Sequence, residues 1–227
     1  MVTEAFPFLD PLNALSGIRA GWIGRVPDLP LAVDREEAMK LLRCHHAAAI
    51  RDFAGASASW ERAEQVHGNA VAVVPSAATI LAPDGLPMVP QVDGLITNHP
   101  DVALAIYVAD CGPIWLVDRR TGAIGLLHSG RKGTEENILA NALRAMAENF
   151  GTKPEDVTAV LGPCIRPPDY EVDFATQIAA QANESGVGNY SDCGLNTASD
   201  LQSHYSYRRE MGRTGRMMAM IVKKKTP

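Results

Sequence analysis

The chain has 227 residues, a formal net charge of −5, 46% hydrophobic and 21% charged residues. This is an ordinary globular composition without the basic face of a nucleic-acid protein, without an apolar run of about 18 residues to span a membrane, and with no basic-then-apolar signal pattern in its first residues, MVTEAFPFLDPLNAL. Four scattered cysteines, Cys44, Cys111, Cys164 and Cys193, are too few for a disulfide scaffold and point to a reduced, cytoplasmic protein, read as a single domain over 1–227. The closing KKKTP reads as a frayed terminus.

Asp34 opens the first clear helix, DREEAMKLLRCHHAAAIRDFAG. Asp is a favoured N-cap, Glu37 follows three residues later, and Met39, Leu42, His46, Ile50 and Phe53 hold one face as far as Gly55. Cys44, His45 and His46 lie inside it. Neighbours on a helix point about 100° apart, so this triplet does not chelate as a unit and reads as a packed stripe with a solvated edge. Five strands follow at 70–75, 92–97, 101–110, 113–118 and 122–130. Continuous apolar runs such as 102–106 require cover on both faces, and DRRTG at 118–122 joins the last two strands as a hairpin. The segment 134–151 predicts a helix capped by Thr134, with Ile138, Leu139, Ala142, Leu143, Met146 and Phe150 buried and Gly151 as the stop. A strand at 157–162, helices at 173–184 and about 199–211, and a closing strand at 216–222 complete an α+β chain.

Four segments place reactive residues at strand ends or in adjacent loops, where a rigid scaffold presents functional groups. They are EQVHGNAV with His67, VADCGP with Asp110 and Cys111, LLHSGRKG with His128, and LGPCIRPPDYEV with Cys164, Tyr170 and Glu171. Two imidazoles and a thiolate are a plausible tridentate set for zinc with a position left open. The spacing alone is no metal motif, and each residue also has a structural reading: a packed thiol, a hydrogen-bonded histidine, an aspartate capping a turn. Gly130, Gly133, Arg131 and Lys132 before a helix start at Thr134 make a candidate anion site. The alternative is an ordinary strand-to-helix connection with solvated charges.

Taken together, these segments resemble the laccase-domain, polyphenol oxidase-like family of the YfiH/YlmD type. The matches are Gln65-Val66-His67-Gly68, Ala109-Asp110-Cys111 with Pro113, His128-Ser129-Gly130 with Gly133, Leu161-Gly162-Pro163-Cys164-Ile165 with Tyr170-Glu171-Val172, and Ser206-Tyr207-Arg208-Arg209 with Gly212 and Thr214-Gly215-Arg216. The resemblance implies a mixed-sheet, sandwich-like core with helices outside. It also implies a zinc-dependent purine nucleoside phosphorylase whose activity extends to adenosine deamination and methylthioadenosine phosphorolysis. Carried onto this chain, zinc (copper as the alternative) falls on His67, Cys111 and His128, which with Asp110 form the catalytic set. Gln65, Gly130, Arg131, Lys132, Tyr170, Glu171, Arg208 and Arg209 become candidates for holding nucleoside and phosphate.

Two departures stand out. The family loop HAGWRG is here HSGRKG, so a flat aromatic is replaced by Arg131 and a bidentate arginine by Lys132. The family's glycine-rich turn near the N-terminus has no counterpart beyond Arg25. Two rival readings are a cysteine hydrolase with Cys111 as nucleophile, acting in cell-wall precursor editing, and a copper-dependent polyphenol oxidase. The latter needs many histidines in H-x-H pairs, whereas this chain has six histidines and no such pair.

Overall fold

The computed structural model describes residues 6–29, 31–55, 58–75 and 78–225. The first five residues of the segment weighed as a signal peptide, and the last two of the lysine tail, lie outside this set. In chain order the elements are a 3₁₀ turn (Pro7–Leu9), α1 (Asp10–Asn13), β1 (Ile18–Ile23), α2 (Arg35–Ala54), β2 (Ser59–Arg62), β3 (Val71–Val73), β4 (Ile80–Leu81) and β5 (Pro87–Met88). They continue with β6 (Gly94–Thr97), β7 (Val102–Val108), β8 (Gly112–Asp118), β9 (Ile124–Ser129), α3 (Arg131–Glu135), α4 (Ile138–Phe150) and a 3₁₀ turn (Pro154–Asp156). The last are β10 (Val157–Leu161), α5 (Phe174–Glu184), β11 (Asn189–Asp192) and β12 (Met217–Lys223).

Two mixed sheets form the body. One has the order β1-β12-β7-β2, the other β11-β10-β8-β9-β6-β3, and β4 and β5 make a small ribbon. The apolar runs of β7 and β12 follow from this layering. Leu104, Ile106 and Val108 face the other sheet, sharing a core with Trp22, Trp115, Leu126 and Val160. Ala103, Ala105 and Tyr107 face the opposite way, under Ala49, Ile50 and Phe53 of α2. The far face of the larger sheet is covered by α4 and α5, through Ile138, Leu139, Met146, Phe174 and Ile178. The central strands β6 to β10 are therefore buried on both sides, and alternation is lost there. Trp115 fastens the layers by donating from Nε1 to the Met220 carbonyl at 2.8 Å.

The chain changes sheets between β7 and β8, in three residues, Ala109-Asp110-Cys111. Leaving one layer for the other requires a sharp turn, and Asp110 takes φ +85° to make it. This is why an apolar strand ends on an acid and a thiol: they occupy a corner rather than a packed face.

The strands expected from sequence form at the expected places, and α2 starts at its Asp34 cap, whose side chain accepts from the Glu37 amide at 2.9 Å. Two expectations fail. The helix expected from Thr134 is broken: α3 is a separate short helix, and α4 begins after Asn137, which sits at φ 55° and caps the Ala140 amide. Thr134 instead lies buried inside α3, its hydroxyl 2.8 Å from the Ser129 hydroxyl. The helix expected over 199–211 is a series of turns, because side chains there capture backbone amides locally. Asp200 accepts from Gln202 at 3.0 Å, and Glu210 accepts from Ser206 at 3.0 Å. The closing lysines are also less free than expected, since Lys223 ends β12 and the Lys224 amide donates to the Gly17 carbonyl at 2.7 Å.

Candidate functional site

At one end of the sandwich, three chain segments meet. His67 comes from the loop after β2, Cys111 from the corner between β7 and β8, and His128 from the end of β9. One donor atom of each lies within 4.8 Å of the others. The rings of His67 and His128 stand edge to face, with centroids 4.9 Å apart. His128 is buried, Cys111 half-buried and His67 exposed.

The residue that organises this meeting is Asp93, which sequence reading passed over as the start of a strand. Wholly buried just before β6, it accepts from three successive amides, Val66 at 3.2 Å, His67 at 2.9 Å and Gly68 at 2.7 Å. The same carboxylate meets His128 Nδ1 at 2.8 Å. It thereby fixes the backbone of one histidine and the ring of the other, leaving His128 Nε2 for the thiol side. A carboxylate behind a ligating histidine sets its tautomer and raises its basicity. Burial alone would raise the Asp93 pKa, but the His128 imidazole and the loop amides hold it below the usual carboxylate range. The only sequence signal was an acid opening an otherwise apolar strand.

The pair His128–Cys111 is strongly polarised. Burial works against ionisation of Cys111, yet the two imidazoles, His128 foremost, pull its pKa down to about 6. Burial likewise opposes the charge on His128, and the Cys111 thiolate and Asp93 push its pKa up to about 9. Gly130 makes room for the thiol: a Cβ there would stand 2.6 Å from Cys111 Sγ. Gly133 lets α3 close on the His67 loop, since its Cβ would meet the Gly68 carbonyl at 3.0 Å.

The three donors open onto a cleft of about 760 Å³, within the usual range for a small-molecule site. Tyr170, Phe174 and Tyr207 give it an aromatic wall, and Arg35, Arg131, Arg208 and Arg216 bring positive charge. Gln65, Asp110 and Gly130 also reach it, whereas Lys132, Glu171 and Arg209 are not on its wall. Gln65 is occupied in holding the scaffold, pairing its carboxamide with the Tyr107 carbonyl at 2.5 Å and amide at 2.9 Å. Asp110 bonds neither histidine; it is Asp93 that orients His128. The oxygens of Asp110 take the Thr197 hydroxyl at 2.7 Å and the Arg208 amide at 2.8 Å. Arg208 stacks 4.9 Å from the Tyr170 ring and pairs with Glu171 at 2.7 Å. Cys164 packs in the core beneath α5, and burial pushes its thiol pKa far up. The helix start beside the candidate anion loop lies at Arg131 rather than Thr134, and both loop cations face acids one turn on, Arg131 with Glu135 at 2.8 Å and Lys132 with Glu136 at 3.6 Å.

Two imidazoles and a low-pKa thiol, with the remaining approach from the cleft, suit one zinc or copper ion. They do not suit a multicopper cluster, for which this single three-residue group among the described residues offers too few donors.

Comparison with known proteins agrees with this architecture. The family model described as multi-copper polyphenol oxidoreductase laccase matches residues 29–185 and 172–224. The purine nucleoside phosphorylase YlmD of Bacillus subtilis is 31% identical over 195 aligned positions, covering 72% of this chain and 70% of that protein. A purine nucleoside phosphorylase of Deinococcus radiodurans is 33% identical over 230 aligned positions, covering 89% and 86% respectively. Among solved structures, YlmD of Geobacillus stearothermophilus superposes with a TM-score of 0.72 at 23% identity over 93% of both chains. YfiH of Bacillus licheniformis gives 0.73 at 22% identity, over 91% of this chain and 93% of that one. At these identities the two structures speak to the fold alone.

Proposed function

Because the chain belongs to the family of laccase-like polyphenol oxidoreductase domains, whose curated relatives carry the name purine nucleoside phosphorylase, we propose that it is itself a cytoplasmic purine nucleoside phosphorylase. The observation that carries this reading is the convergence of His67, Cys111 and His128 at a cleft lined by aromatics and arginines. In the reaction, an oxygen of orthophosphate forms a bond to C1′ as the C1′–N9 bond breaks. The electron pair goes to the purine, which takes up the proton that orthophosphate gives up and leaves neutral, and a pentose 1-phosphate remains. The transition state has oxocarbenium character, so the protein's task is to hold phosphate in line and stabilise charge on the departing base.

Tyr170, Phe174 and Tyr207 offer stacking surfaces for a purine, a role the replaced aromatic of the HSGRKG loop no longer fills. Asp110, by binding the Arg208 amide, sets the loop that carries Arg208 and Tyr207. Held by His67, Cys111 and His128, a zinc ion would supply Lewis-acid stabilisation of negative charge; copper is the alternative occupant. Adenosine and methylthioadenosine are further substrates for the same cleft, the former also for deamination. The test is phosphate-dependent release of hypoxanthine from inosine, with metal content measured on the same sample. Cys111→Ala should abolish both; retained turnover in that variant rejects the assignment.

The low pKa of Cys111 favours one second reading, a cysteine hydrolase using the thiolate directly. Inactivation of metal-free protein by iodoacetamide, with no effect of chelators, would select it.

A further inference from the structure

We propose that Arg216 and Arg35 together form the orthophosphate-binding corner of the cleft. This rests on the phosphorylase reading for the identity of the anion, and it moves the phosphate away from the HSGRKG loop.

The four arginines on the cleft fall into two kinds. Arg131 and Arg208 are exposed and each is paired with a carboxylate, at 2.8 Å to Glu135 and 2.7 Å to Glu171. Arg216 and Arg35 make no ion pair among the described residues. Arg216 is only 8% exposed, and a buried guanidinium without a counter-charge is costly unless something else supplies one. Its Nη1 donates to the Thr214 carbonyl at 3.0 Å and the Gly215 carbonyl at 2.8 Å. Those bonds fix the plane of the fork, and Nε and Nη2 have no protein partner among the described residues. A fork held in this way is suited to two oxygens of one tetrahedral anion.

Arg35 adds a second cation to the same cleft. It stands at the first position of α2, the end of a helix where the dipole favours acids rather than bases. Its Nη2 donates to the Glu64 carbonyl at 2.9 Å, which directs it along the cleft rim. The two guanidiniums repel: after burial, Arg35 is the main influence lowering the Arg216 pKa to about 10. Cys111 and Asp110 are near enough to oppose this electrostatically, yet neither forms an ion pair with Arg216. Two like charges brought together with their donors unspent are relieved by an anion between them.

The experiment is calorimetric titration of inorganic phosphate, at matched ionic strength, into wild type, Arg216→Gln, Arg216→Lys and Arg35→Ala, with Arg144→Ala as a remote charge control. The same proteins are then assayed for inosine phosphorolysis with phosphate and inosine varied separately. Arg216→Gln should weaken phosphate binding by about tenfold or more and Arg35→Ala by several-fold. Arg216→Lys should fall between wild type and the Gln variant, and KM for phosphate should rise while KM for inosine holds. The inference is overturned if wild type binds no phosphate, or if Arg216→Gln and Arg35→Ala bind it like wild type. It is overturned equally if, in Arg131→Ala and Arg208→Ala proteins titrated alongside, the loss appears only there. Should Arg216→Gln not fold, Arg35→Ala decides alone, since Arg35 is exposed. Arg216-dependent phosphate binding in a protein that never cleaves inosine would sustain the anion corner and reject the phosphorylase.

Discussion

Replacing Gly130 by alanine isolates the contact that seats the thiol. Gly130 has φ −99° and ψ −166°, an extended conformation open to any residue, so the backbone raises no objection. The added Cβ would lie 2.6 Å from Cys111 Sγ and 3.6 Å from Cys111 Cβ. Comfortable carbon contacts begin at about 3.5 Å, so the shortfall to sulfur is on the order of 1 Å. Overpacking of this kind costs about 1–3 kcal/mol, or roughly 2–12 °C in melting temperature for a chain of this size. The larger effect falls on the site, because the thiol must leave the cluster whose donors now lie within 4.8 Å of one another. A displacement of about 1 Å can cost on the order of a hundredfold in rate. On the proposed reading, Gly130→Ala should therefore fold, retain little metal after dialysis and turn over inosine about a hundredfold more slowly. Gly151→Ala is the counter-case: at φ 65° with no atom within 4 Å of its Cβ, it should lose about 1 kcal/mol through the backbone and leave turnover intact. Wild-type metal content and rate in Gly130→Ala would refute the idea that the close approach positions Cys111.

Three further outcomes are expected. Asp93→Asn leaves two of the donors now facing its oxygens opposed by an amide NH₂, whichever way the amide flips, and should cost about 2–5 kcal/mol with a 10–100-fold loss in metal affinity; chelator competition checks the latter. Asp84→Ala strands Arg62, now paired at 2.6 Å with both side chains 3% exposed, and should cost about 3–5 kcal/mol in denaturant melts. Burial acts to raise the Asp84 pKa, but Arg62 and the Leu86 amide hold it below the ordinary value of 3.8. The stability it contributes is therefore fully present above that value and lost as pH falls through the lower folded pKa, so the gap between wild type and variant should be flat near neutrality and close in strong acid. In metal-stripped protein, iodoacetamide should modify Cys111 at a rate rising to half its plateau near pH 6. Cys193, pushed up to about 11 mainly by burial, should stay inert until alkaline pH; peptide mapping separates the two.

What could be read from sequence divides along a physical line. The doubly buried strands β7 to β9, the hairpin between β8 and β9, and the body of α2 were legible because periodicity and turn residues act locally. The true start of α4 was not, because it depends on Asn137 adopting a left-handed conformation, which a run of helix formers conceals. β1 was missed because Gly21 interrupts it, and that glycine is there for Phe53, whose ring would stand 2.7 Å from a Cβ. The three donors were found only through ordered motifs taken together. Asp93 escaped because it owes its meaning to a loop 25 to 27 residues away, and Arg216, though part of the closing motif, gives no sign in sequence that it lacks an acid partner among the described residues.

The corner between β7 and β8 has a consequence beyond chemistry. His67, Cys111 and His128 are separated by 44 and 17 residues, and they meet only once both sheets have closed on their shared core. A denatured chain has no comparable chelate, so ion uptake and cohesion of the fold belong to one equilibrium. Each tenfold excess of free cation over its dissociation constant adds about 1.4 kcal/mol to the native state. On the proposed metal site, loss of the ion would thus lower the stability of the fold as well as the activity.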